Sequence, residues 1–342
     1  VSHIPFVSGL MSYTLEEDPK FQTGYALSEN YDIIRTFQEQ VEGFVAFPFS
    51  RTKRIEAGAA LAHYSYRIDR YSTYYHSNEN GELLSYYPFY SDRHKLPLDR
   101  AAETYGTDFK SFTIQQVNAA FVGDNSNFGI AAPLEGYRYR LGVEQYFGDY
   151  NFTSYTFDVR KYNRYKPVTL AARAYTYMRT GKDEGALYPL FLGYPYLIRG
   201  YESAGFYNGQ SFSTGFDLNQ LMGTRIAVAN FEVRIPFTGP ERLALLPSKL
   251  LFSDLNFFFD AGLAWTKDSK VAFKGKPDFI ESIPNPDGSF TAVYERVPAL
   301  SAGVSLRVNM FGYFVIEPYY AIPFQRNDVK LGVFGINFAP GW

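Results

Sequence analysis

The sequence predicts an all-β fold: a transmembrane, antiparallel, up-and-down β-barrel of about twelve to sixteen strands. Three observations carry that expectation. Apolar and polar residues alternate with a period of two along many segments, most clearly in the C-terminal half. Aromatic residues make up 19% of the 342 residues, with 32 Phe and 30 Tyr, and a membrane barrel can place them on its lipid face and in interfacial girdles. The long connections fall mostly on one side of the meander and the short turns on the other, as in outer-membrane barrels. A soluble sandwich or lipocalin-like barrel would instead turn its Phe and Tyr faces into a core and keep both sets of loops short.

The elements follow in order. Residues 1–37 hold two weaker candidates, "VSGLMSYTLE" and "FQTGYALSEN". Strands are then expected at Gln38–Pro48, Arg54–Ile68, Ser111–Val122, Tyr137–Phe147, Phe152–Tyr162 and Val168–Met178, each roughly the ten residues a tilted spanning strand needs. In Gly223–Phe237, Asn230, Glu232 and Arg234 share one face, and Phe231, Val233, Ile235 and Phe237 the other. In Leu250–Trp265, Asp254, Asn256 and Asp260 oppose Leu251, Leu255, Phe257, Phe259 and Leu263. In Leu300–Asn309, Ser301, Ser305 and Arg307 oppose Ala302, Val304, Leu306 and Val308. In Tyr313–Phe324, Glu317 lies on the face of Tyr319, and Phe334, Ile336 and Phe338 line one face of a last strand. Residues 69–110, 179–222 and 266–299 read as long loops, and no amphipathic helix with strong caps stands out. The expected organisation is a single barrel domain over 1–342.

Composition narrows the function classes. A net charge of −2 gives no bulk attraction to nucleic acid. With no cysteine there is no disulfide framework or thiol chemistry. The longest uncharged apolar run, Gly185 to Ile198, is too short and too broken by Gly and Pro for a spanning helix. A membrane protein of this sequence must therefore be a closed barrel, the other structure that satisfies its backbone in lipid. Val1 opens without a signal-peptide pattern, so an exported chain is expected here as a mature chain or a fragment. His3, His63, His76 and His94 show no metal spacing, no P-loop or G-x-G-x-x-G occurs, and "GQSFSTG" is no nucleophile elbow. His63 and Ser65 share a strand face, which is ordinary for polar residues at spacing two. No catalytic, metal or cofactor site is expected.

One stretch stands apart from this pattern. "YLIRGYES", Tyr196 to Ser203, sits in the longest predicted loop. Its Ile198, Arg199, Gly200 and Tyr201 resemble the (Val/Ile)-Arg-Gly-(Phe/Tyr) motif of the BamA/TamA superfamily of outer-membrane assembly and translocation barrels, the bacterial surface antigen family. Upstream, "APLEGYRYRLGVEQYFG" is similar to the family's Pro-x-x-Gly strand start, through Pro133 and Gly136. Downstream, "NFEVRIPF" and "FFFDAGLAW" resemble two family strands with inward acids, Glu232 and Asp260. The ending "VFGINFAPGW" resembles the family's C-terminal assembly signal, through Phe334, Ile336, Phe338 and Trp342. The resemblance covers about 111–342 and implies that the loop tip folds into the lumen.

Simple chemistry agrees with that implication. Glu232 and Asp260 fall on the polar register, and a guanidinium can bond carboxylates bidentately. Gly200 would allow a tight turn at the tip. The resemblance further implies an integral outer-membrane protein that inserts or translocates polypeptides or anchors a periplasmic partner domain. Its partners would be outer-membrane lipid, unfolded or secreted polypeptide, and periplasmic or lipoprotein components. A passive pore or two-partner secretion channel stays open as an alternative, as does a membrane anchor for a fused enzyme such as a patatin-like phospholipase. Fewer strands precede the motif than in the family barrel. The sequence therefore allows either a chain that starts inside a larger barrel or a reduced member.

Overall fold

In a computed structural model of the chain, residues 2–17, 24–105, 109–129, 131–202, 216–249, 251–284, 290–326, 329 and 331–338 are described. The first elements are β1 (Ser2–Glu17), β2 (Tyr25–Ser50), β3 (Lys53–His76), β4 (Tyr90–Leu96), helix α1 (Leu98–Tyr105), β5 (Phe112–Asp124) and the short β6 (Asn127–Phe128). They are followed by β7 (Pro133–Gly148), β8 (Phe152–Tyr165), β9 (Val168–Thr180), the short β10 (Leu190–Phe191) and β11 (Met222–Gly223), and β12 (Arg225–Gly239). The last are β13 (Leu246–Pro247), β14 (Phe252–Trp265), the hairpin β15 (Phe279–Pro284) and β16 (Phe290–Tyr294), β17 (Ala299–Met310), β18 (Phe314–Pro323) and β19 (Val333–Phe338). The result is a large, mostly antiparallel β-sheet structure, and no described helix is long and apolar enough to cross a membrane.

The chain forms two compact units. The first comprises 1–43, 59–116 and 147–149. In it β1 pairs with β2, and β4 pairs with β3. Ile34, Ile68, Leu96, Ala101 and Phe109 form its core. Arg70 donates to both oxygens of Asp32 at 2.8 and 2.7 Å, and the Tyr105 hydroxyl bonds the same carboxylate. This network fixes α1 against the strands. His63 is exposed and its ring Nδ1 lies 3.0 Å from the Thr113 hydroxyl.

The second unit comprises 44–58, 117–146 and 150–342. Its long strands follow the order β7-β8-β9-β12-β14-β17-β18-β19, each antiparallel to the next. The alternation of the sequence appears here with its faces inverted relative to a water-soluble protein. Phe231, Phe257 and Phe334 are 45%, 50% and 68% exposed, whereas Glu232, Asp260 and Arg307 are 0–1% exposed. An exposed aromatic face and a buried charged face make sense where the surrounding medium is apolar.

Several sequence expectations are corrected. Residues 69–110 are not a plain loop, because β3 runs to His76 and β4 and α1 follow. The short helix leaves little signal in the sequence, because it has only eight residues and its one acidic residue in the first turn, Asp99, stands alone. β2 starts at Tyr25 rather than Gln38, and the stretch 266–299 carries the β15–β16 hairpin.

Candidate functional site

The segment between β9 and β12 returns to the buried face of the second unit. Its base is apolar. Leu192, Leu197, Ile198, Tyr201, Phe216 and Leu221 pack with Ile226, Val228, Ala264, Val297 and Ala299. At the tip, Gly200 has φ +90°, a left-handed conformation that a side chain would strain, and a Cβ there would sit 3.1 Å from the Ala321 Cβ. Arg326 donates to the Gly200 carbonyl at 2.9 Å, and the Tyr201 hydroxyl donates to the Leu300 carbonyl at 2.9 Å. Tyr201 is fully buried, and burial pushes its phenol well above its ordinary pKa.

Arg199 is 2% exposed and occupies the centre of the site. Its Nε and Nη2 donate to the two oxygens of Asp260, each at 2.8 Å, and its backbone N–H adds a third bond at 3.2 Å. Its Nη1 lies 2.9 Å from Glu232 and 3.0 Å from Glu317. The guanidinium also stands 3.6 Å over the Phe258 ring, a cation–π contact. Burial opposes the charge on Arg199, but Asp260 and Glu232 outweigh it and hold its pKa above the ordinary arginine value.

The acids are themselves shared. Glu232 accepts from Arg234 at 2.8 Å and Arg307 at 2.9 Å. Glu317 accepts from Ser305 at 2.8 Å and Asn337 at 3.3 Å, and Arg307 approaches it at 3.3 Å. Asn230 donates to Asp260 at 2.9 Å and to the Leu197 carbonyl at 2.8 Å. Three arginines thus meet three carboxylates in a closed, hydrogen-bonded set. A buried charge without such partners would carry a desolvation penalty of several kcal/mol.

The geometry brings Arg199, Glu232 and Asp260 together, with Ile198 and Tyr201 as apolar and hydrogen-bonded anchors on either side. Sequence reasoning did not assign Glu317, Arg234, Arg307 or Phe258 to this cluster. All four lie on the polar register of their strands, but which of them converge depends on strand order. Phe334, Ile336 and Phe338 lie on the exposed face of β19, and its opposite face delivers Asn337 to Glu317. Trp342 lies outside the described residues. Among the described residues no group of His, Asp and Glu has the spacing to hold a metal.

A family model described as "Omp85 superfamily domain" matches residues 11–341. The chain belongs to the Omp85 superfamily. This is the superfamily of BamA, integral outer-membrane β-barrel proteins whose role is the insertion or translocation of polypeptides rather than enzymatic catalysis. Among solved structures, the chain is similar to BamA from Haemophilus ducreyi lacking POTRA domains 1-3, with 12% identity and a TM-score of 0.44, over 98% of this chain and 68% of that one. No curated protein matches the chain.

Proposed function

We propose that this chain closes its sheet into a single transmembrane barrel domain of the outer membrane and inserts or translocates polypeptides there, with the Arg199 tip as an internal brace. The observation that carries the brace is the bidentate Arg199–Asp260 pair, backed by Glu232 and Glu317, on a loop whose base is apolar. Such a pair ties the loop to β12, β14 and β18 at once. It fixes the shape of the lumen and performs no chemistry itself. The inverted burial of the second unit supports the closed barrel, since it suits lipid outside and polar groups inside. The expected partners are outer-membrane lipid, an unfolded polypeptide, and periplasmic or lipoprotein components. In the same reading, Phe334, Ile336, Phe338 and Trp342 form the C-terminal signal by which the barrel is itself assembled.

The experiment is reconstitution of the chain in liposomes with an unfolded outer-membrane protein as substrate. Folding of that substrate, read by its heat-modifiable gel migration, should run well above the rate in empty liposomes. Equal rates with and without the chain overturn the assignment to insertion.

A further inference from the structure

We propose that the second unit contains an oxyanion-binding site, built for a carboxylate or phosphate group, on the polar register of β7 and β8. The site is a cavity of about 240 Å³ lined by Arg54, Asp124, Arg138, Arg140, Asp158 and Arg160, among others. That volume has room for roughly eight waters at about 30 Å³ each, so an oxyanion fits with part of its hydration.

The strand register shows why an anion belongs there. Arg138 is directly opposite Arg160 across β7 and β8, and Arg160 is directly opposite Arg173 across β8 and β9. Three arginines therefore stand in one cross-strand row. Like charges directly opposite one another destabilise a sheet. The acids nearby offset this only in part. Asp158 is shared by Arg160 at 2.7 Å and Arg173 at 3.2 Å. Glu56 is shared by Arg54 at 2.7 Å and Arg140 at 2.5 Å. Asp124 pairs with Arg138 at 2.9 Å. Five arginines thus face three carboxylates. The next acid on this register of β7, Glu144, is held by Tyr146 and Ser154 at 2.8 and 2.9 Å.

Donors also remain. Arg54 and Arg138 each engage their acid through Nε, so among the described residues the Nη groups at the outer end of both forks carry no bond to protein. A guanidinium fork matches the two oxygens of a carboxylate or phosphate. Arg54, Arg138 and Arg140 are about two-fifths exposed, so an incoming anion can reach them. The inference does not depend on insertion or translocation, because the site is defined by its charge and donors alone.

The test is isothermal titration of the full chain in detergent micelles with two probes, inorganic phosphate and a short oligoglutamate peptide. Binding of either probe is expected, weakening as salt rises and weakening at least about tenfold in the Arg138→Gln/Arg140→Gln double variant, a loss of about 1.4 kcal/mol. Preference for phosphate identifies a phosphate-bearing headgroup as the source, and preference for the peptide identifies acidic side chains. If the double variant does not fold, judged by heat-modifiability, the single Arg54→Gln variant takes its place and should weaken binding severalfold. No binding of either probe, or unchanged binding in the folded variant, overturns the proposal.

Discussion

Replacing Arg199 by alanine removes the centre of the brace, and the structure says where the cost falls. Glu232 keeps Arg234 and Arg307, and Glu317 keeps Ser305, Asn337 and Arg307. Asp260 loses its bidentate partner and a cation, and keeps Asn230 and the backbone N–H of residue 199 while fully buried. Leaving one buried charge uncompensated costs about 3–5 kcal/mol. The cost applies to the seated loop, because releasing the loop lets water reach Asp260. Chymotrypsin can report that release through Tyr201, which is fully buried while the loop is seated. If opening is fast relative to cleavage, about 1.4 kcal/mol per tenfold gives cleavage roughly a hundredfold to a few thousandfold faster than in the parent. The Arg199→Ala/Asp260→Asn double variant should recover part of the loss, with a coupling of about 1–3 kcal/mol. Cleavage of Arg199→Ala at the parental rate, or strictly additive single and double variants, refutes the brace.

Two further outcomes follow from the same geometry. A Cβ added at Gly262 would stand 2.1 Å from Cδ1 of the fully buried Ile198, so Gly262→Ala should unseat the loop by about 1–3 kcal/mol with every ion-pair residue present. Parental chymotrypsin resistance would sink that expectation. Burial pushes the Glu202 carboxyl above its ordinary pKa, so its folded value exceeds its unfolded one. Its stabilising contribution is complete below the ordinary carboxylate range and is lost as pH rises through the raised value. Glu202→Gln should therefore gain on the parent in urea midpoint as pH rises above the ordinary carboxylate range, and a pH-independent difference would contradict the assignment.

The faces of the strands were legible in the sequence, and their pairing was not. In β12 and β14 the period of two placed Glu232, Arg234, Asp254 and Asp260 on one register because an apolar medium on one face and polar groups on the other favour alternation. Glu317 sat on its register too, but its meeting with Arg199 depends on β14, β17 and β18 lying side by side. Strand order is a long-range property that periodicity does not encode. The region 69–110 resembles a loop in the sequence for a different reason. Tyrosines occupy both faces at Tyr74 and Tyr75, and Pro88 and Pro97 break the pattern on either side of β4, so no alternation marks the strands there.

One row of the ladder connects the two charged regions of the second unit. Arg138, Arg160, Arg173, Asn230, Asp260 and Ser301 are successive cross-strand neighbours. Toward β14 the row is covered by the loop. Arg173 donates to the Tyr196 carbonyl at 3.0 Å and Asn230 to that of Leu197, so the loop backbone takes up the polar groups and Arg199 closes the set. Toward β7 the row opens on the cavity, and its cations keep donors unused. The difference follows from what the loop brings: an apolar base that can bury against Ile226 and Val228, and a single arginine matched to acids. The loop's one arginine is itself a cation and cannot neutralise a row of arginines. The half that already carries positive charge is therefore left for an anion from outside, and the half that carries acids is closed by the chain itself.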